Sequence, residues 1–151
     1  MKPYHYPGCG LPNVYLTNGV KETKTPYGPS IVINDVEGLH GAIADQLVVK
    51  ASALTPVEFR YLRSYLELSQ KKLGELVGTS DQSIANWEKG NTAIVKSAET
   101  LLRMLAREHR GGNVDVRQFV ERVNEDDRQE RLQSLTFKQS KKTWRFEGVA
   151  T

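Results

Sequence analysis

Gln82 and Asn86 stand four residues apart, so on a helix they share one face, and each carboxamide can pair bidentately with N6 and N7 of an adenine. Ser80, Asp81 and Ser83 add short polar groups at the head of the same segment, where a helix lying in a DNA groove meets base edges. Alone, such residues read as a solvated helix face; carried on a helix-turn-helix, Gln82, Asn86, Asp81 and Ser83 are the expected base contacts. Asp81 keeps two readings: it can accept from cytosine N4, or its carboxylate can favour the positive N-terminus of its own helix. Lys89 at the far end, Ser80 at the near end, and Lys71 and Lys96 on neighbouring segments are the expected phosphate contacts, which position a protein on a duplex without specifying sequence.

Such side chains need a rigid carrier, and residues 69–90 supply the pattern of one. Ser69 can cap a short helix carrying Leu73, Leu76 and Val77 that Gly78 stops; Ser80 can cap a second with Ile84 and Trp87 inward, ended by Gly90. Two helices crossing closely need a small residue where the first meets the second, which gives Gly74 its place, and apolar pins on either side. Upstream, Thr55-Pro56 with Glu58 reads as N-cap, N1 and the third position of a capping box, opening a helix with Phe59, Leu62, Tyr65 and Leu66 on one face. Downstream, a helix from about Lys96 to Glu108 presents Leu101, Leu102 and Leu105 before Gly111-Gly112.

Other chemistries find less support. Cys9 is the one cysteine, so it can form neither an internal disulfide nor a four-cysteine zinc site. His5, Cys9 and His40 could together supply three metal ligands, but a lone thiol and two surface histidines read more simply as unliganded, and no metal or other cofactor is expected. No phosphate-binding glycine loop occurs, and the acidic run Glu125-Asp126-Asp127 is followed by Arg128, as on a solvated helix. No enzyme is expected. The chain has 151 residues, 38% hydrophobic and 26% charged, enough for one full domain or two small ones and unlike a disordered sequence. Its 21 Lys and Arg against 18 Asp and Glu leave +3, a field too weak to bind a polyanion by bulk charge alone. With no apolar run of membrane length and no leader pattern, a cytoplasmic protein without membrane contact is expected.

The pattern Ser69-Gln70, Leu73, Leu76-Val77-Gly78, Ile84 and Trp87-Glu88-Lys89-Gly90 resembles the Cro/C1-type (XRE) helix-turn-helix family over about residues 55–107. The family usually has Ala where this chain has Gly74. The resemblance implies a lambda-repressor-like bundle, a phosphate contact for Gln70, and a structural ion pair of Arg63 with Glu88. Adding Tyr6-Pro-Gly-Cys9-Gly10, Thr25-Pro-Tyr-Gly28 and Asp35-Val-Glu-Gly-Leu-His40, the whole chain is similar to the MqsA (YgiT-type) antitoxin and regulator family. There an N-terminal domain binds zinc through two CxxC pairs. Here Tyr6 stands where the partner of Cys9 would be and the second pair is missing, so that domain is expected to be degenerate and metal-free.

The fold class so read is α+β, mainly α, in three parts. Residues 1–54 form a small β-meander and a helix: strands at 13–17, 20–25 and 31–33, an Asn18-Gly19 hairpin turn, and a helix capped by Asp35, with Val14, Leu16, Ile31, Ile33, Leu39, Ile43 and Leu47 buried together. Residues 55–112 form the helix-turn-helix domain. Residues 113–151 form a helical extension with a basic tail around Lys138, Lys141, Lys142 and Arg145, in which 143–147 alternates like a strand. The expected function is a homodimeric, sequence-specific transcriptional regulator, autoregulatory by family resemblance, bound to a palindromic double-stranded DNA operator. The alternative is an antitoxin that also neutralises a cognate toxin, with strand edges at Val14–Leu16 and Ile31–Ile33 as the docking sites.

Overall fold

A computed structural model describes residues 2–112, the backbone of 127–130, and residues 133–150. The chain is mixed α+β, and its internal contacts divide it into two units: Met1–Ile43 with Leu132–Thr151, and Ala44–Arg131.

The first unit is built on a four-stranded sheet in the order β1 (Tyr4–His5), β2 (Val14–Leu16), β7 (Ser134–Ser140), β8 (Thr143–Ala150). β2 runs parallel to β7, and β7 turns back antiparallel into β8. Val14, Leu16 and Phe137 are buried, and so are Leu39 and Ile43 from the first part of α1 (Val36–Val48). The Trp144 indole donates to the carbonyls of Asn34 and Asp35, both at 3.0 Å. β3 (Val20–Thr25) and β4 (Gly28–Ile33) form a separate two-stranded hairpin around Pro26-Tyr27.

This arrangement corrects three expectations. The meander does not form: β2 pairs with β1 and β7, and Asn18-Gly19 is not a hairpin turn. Asn18 is drawn into the longer-range sheet, where its amide donates to the Gln139 carbonyl at 3.0 Å and its oxygen accepts the Gln139 N–H at 2.6 Å. Gly19 keeps a positive φ of 76°, and a Cβ there would also lie 2.5 Å from the Trp144 ring. Second, Ile31 is not core. It is 42% exposed on the hairpin, Val32 beside it is 47% exposed, and Ile33 is half-buried. Third, the C-terminal part is not a helical extension where it is described: 127–130, 134–140 and 143–150 are strands, and Leu135 and Phe137 of β7 alternate inward, paired with Val14 and Leu16 of β2. Of the one or two helices expected over 113–134, residues 113–126 lie outside the described residues. The strand expected at 143–147 is part of β8.

Among its described residues the second unit holds the end of α1 and the helices α2 (Pro56–Tyr65), α3 (Gln70–Val77), α4 (Asp81–Glu88) and α5 (Lys96–His109). Their ends follow the local signals. Thr55 and Glu58 close a capping box, with Glu58 N–H to Thr55 Oγ1 at 3.3 Å and Thr55 N–H to Glu58 Oε1 at 2.8 Å. Ser69 accepts from Lys72 N–H at 2.9 Å, and Gly78 ends α3 in the left-handed region at φ 80°. Phe59, Leu62, Leu73, Ile84 and Leu102 are fully buried, and the Phe59 and Trp87 rings meet edge-on at 5.9 Å. Leu76 is not the apolar pin expected: on the same helix Leu73 is fully buried, whereas Leu76 is 44% exposed.

Buried polar groups tie the segment 48–55 into this unit. Arg103, 1% exposed, donates to the carbonyls of Lys50 and Ser52, both at 2.7 Å, and lies 3.5 Å from Glu99. Glu99 accepts the Leu54 N–H at 3.0 Å, and β5 (Ser52–Ala53) pairs in parallel with β6 (Asp127–Glu130). No helix among the described residues is long and apolar enough to cross a membrane.

Candidate nucleic-acid interface

α3 and α4 approach as closely as backbones allow. Gly74 is buried, its carbonyl accepts the Thr79 N–H at 2.8 Å, and a Cβ at this position would stand 2.6 Å from the Thr79 carbonyl oxygen and 3.2 Å from the Ser80 carbonyl carbon. α4 is therefore set by main-chain contact with α3, while Ile84 and Trp87 anchor its inner face.

Its outer face carries the side chains singled out above. Asp81 and Gln82 are exposed, and Ser83 and Asn86 are half-buried. Ser80 is the N-cap: its oxygen accepts the Ser83 N–H at 3.1 Å, and its hydroxyl donates to Ser83 Oγ, also at 3.1 Å. Asp81 lies in the first turn, where its charge suits the helix N-terminus. Asn86 Oδ1 accepts from Asn91 Nδ2 at 3.4 Å, which occupies one of the two acceptor sites of that oxygen. Sequence reasoning gave Asn91 no role; the signal for it was its place just after Gly90, whose positive φ folds the chain back over the helix end.

Arg63 and Glu88 join α2 to the last turn of α4. The pair is bidentate, Nε to Oε2 at 2.6 Å and Nη2 to Oε1 at 2.8 Å, with side chains 13% and 4% exposed. Arg63 also donates to the Leu68 carbonyl at 2.9 Å. Gln70 donates to Glu88 Oε1 at 3.2 Å, so at least part of this carboxamide buttresses the ion pair at the start of α3. Lys71 is exposed on α3, Lys89 is the exposed C-cap of α4, and Lys96 is the exposed first residue of α5. The structure thus brings Gln70, Ser80, Asp81, Gln82, Ser83, Asn86 and the Arg63–Glu88 pair onto two adjoining helices and their supports.

Cys9, His5 and His40 are engaged elsewhere. The Cys9 thiol donates to the Tyr6 carbonyl at 3.4 Å, and burial raises its pKa, which disfavours the thiolate that would bind metal or act as a nucleophile. His5 Nε2 donates to the Pro12 carbonyl at 2.7 Å, and His40 Nε2 hydrogen-bonds the Tyr6 hydroxyl at 3.0 Å. Burial lowers the His40 pKa and raises that of Tyr6, favouring the neutral form of each. Among the described residues no three His, Cys, Asp or Glu side chains group so as to hold a metal ion.

The chain finds no match among family models, curated proteins or solved structures.

Proposed function

We propose that α3 and α4 are a helix-turn-helix and that the chain is a sequence-specific DNA-binding regulator, reading base edges through α4. The single observation that carries this reading is the backbone contact at Gly74 against Thr79 and Ser80. It fixes the attitude of a short helix whose outer N-terminal face bears Asp81, Gln82, Ser83 and Asn86. A rigidly held polar helix end is what base readout demands, because hydrogen bonds to base edges discriminate only if the donors cannot drift. The Arg63–Glu88 pair serves the same purpose from the other end of α4. One such module contacts few base pairs, so a two-fold dimer on half-sites about one helical turn apart is the expected working form, with repression of a nearby promoter as the output.

A mobility-shift titration against DNA from the chain's own upstream region tests this at fixed salt, with random duplex of equal length as comparator. Gln82→Ala and Asn86→Ala should each lower affinity for the preferred site by about 1 to 3 kcal/mol and leave random DNA nearly unaffected. Lys89→Ala should weaken both and make the salt dependence shallower by about one phosphate contact. Equal affinity of the unaltered protein for its upstream DNA and for random duplex would defeat the proposal.

The second reading, an antitoxin that binds its toxin, draws on the β3–β4 hairpin. β2 offers no edge, being flanked by β1 and β7, whereas β4 pairs only with β3 among the described strands and exposes Ile31 and Val32. A partner strand added to β4 would cover both. Co-purification with a small protein encoded beside the gene would favour this reading.

A further inference from the structure

The β7–β8 hairpin ends in a basic face that nothing in the α4 reading uses. Alternation places Phe137 and Trp144 inward, 0% and 5% exposed, which leaves Lys138, Ser140, Thr143 and Arg145 on the opposite, exposed face. Lys138 lies directly across from Arg145 and Ser140 directly across from Thr143. Like charges opposed in this way destabilise a strand pair. At the tip, Lys141 and Lys142 both take positive φ, 50° and 66°, the conformation of a turn that Asn-Gly fills best and that a lysine adopts only at a cost. The described ion pairs engage Lys50, Arg63, Lys72, Arg103 and Arg110, and none of these four hairpin cations. From Ser134 onward the sequence contains a single carboxylate side chain, Glu147.

Like-charge opposition and left-handed lysines both work against the hairpin's own stability, and an anion laid across the face relieves the first directly. We infer that the outer face of β7–β8 is a second DNA-contacting surface, binding the phosphate backbone of duplex DNA without reading its sequence. The composition matches that ligand: cations interleaved with hydroxyl donors are the side chains that contact phosphate oxygens. On the outward face of β7, Lys138 and Ser140 are two residues apart, about 7 Å along the strand. Side chains so spaced, with Arg145 across from Lys138, can meet neighbouring phosphates of one strand. An anionic membrane is the rival surface, but among the described side chains the outward face has no large apolar group to enter a lipid interface.

The test needs no operator and so stands apart from the α4 reading. Full-length protein is titrated by fluorescence anisotropy against a random-sequence 30-base-pair duplex over a range of salt. Lys138→Gln with Arg145→Gln should make the slope of log K against log salt shallower by about 2, near 0.9 per phosphate contact. Lys21→Gln with Lys24→Gln, on the other hairpin, should leave it unchanged. Lys141→Asn with Lys142→Gly should raise Tm by about 3 °C while also making the slope shallower, opposite movements that a merely solubilising tip would not produce. The inference is overturned if the Lys138/Arg145 variant keeps the original slope, if both hairpins lower it equally, or if the Asn-Gly variant melts lower. Tighter binding to phosphatidylserine vesicles than to the duplex at the same salt also overturns it. Loss of operator preference in Gln82→Ala with this slope intact would separate the two surfaces.

Discussion

Replacing Gly74 with Ala sets two effects of similar size against each other, and the structure decides the sign. In a helix interior Ala is favoured over Gly by about 1 kcal/mol, so on an isolated helix the change would stabilise α3. In the folded chain the new Cβ would stand 2.6 Å from the Thr79 carbonyl oxygen, 3.2 Å from the Ser80 carbonyl carbon and 3.4 Å from the Asp81 nitrogen. All three are main-chain atoms. Thr79 is itself held by its N–H to the Gly74 carbonyl at 2.8 Å, and Ser80 by its cap on Ser83, so no flexible side chain can give way. Overpacking of this kind costs about 1 to 3 kcal/mol, against the ~1 kcal/mol gained. The expected net is a destabilisation of about 1 kcal/mol, a fall in Tm of about 2 to 4 °C for a chain of this size. Thermal and urea unfolding of the two proteins side by side measure it. A rise in Tm would refute the reasoning, because it would mean α4 can retreat from α3 at no cost.

Other substitutions test the buried polar ties. Arg63→Met should destabilise by about 3 kcal/mol by stranding the Glu88 carboxylate, 4% exposed, whereas Arg63→Met with Glu88→Leu should recover most of that in urea unfolding. Arg103→Met should cost about 3 kcal/mol by the same measurement, since it leaves the Lys50 and Ser52 carbonyls and the Glu99 carboxylate without the guanidinium between them. His40 gives a pH dependence. Burial holds its folded pKa below the unfolded value of 6.5, so below that value the unfolded chain binds the extra proton. The stability it contributes is full above pH 6.5 and is lost as pH falls through 6.5 toward the lower folded value. Tm should therefore drop on acidification more in the unaltered protein than in His40→Gln, and parallel pH curves for the two would count against this assignment.

What the sequence alone determined was local. Helix starts at Thr55, Ser69 and Ser80 were legible because an N-cap is a side chain bonding to backbone three residues away, and the stop at Gly78 because glycine takes positive φ freely, relations that sequence spacing contains in full. The candidate readers Gln82 and Asn86 were legible for the same reason, through helical periodicity. What only tertiary structure decided was long-range pairing. Asn18-Gly19 carries a strong hairpin signal, but Thr17 hydrogen-bonds Phe137, 120 residues away, and Asn18 bonds Gln139, 121 away. A neighbouring strand and a distant one offer β2 the same backbone bonds, so the choice falls to which partner buries Leu135 and Phe137. Composition near β2 cannot reveal that. The basic tail was visible as charge; that its cations oppose one another on a single face follows from the β7–β8 register, because shifting that register by one residue would change which side chains face each other.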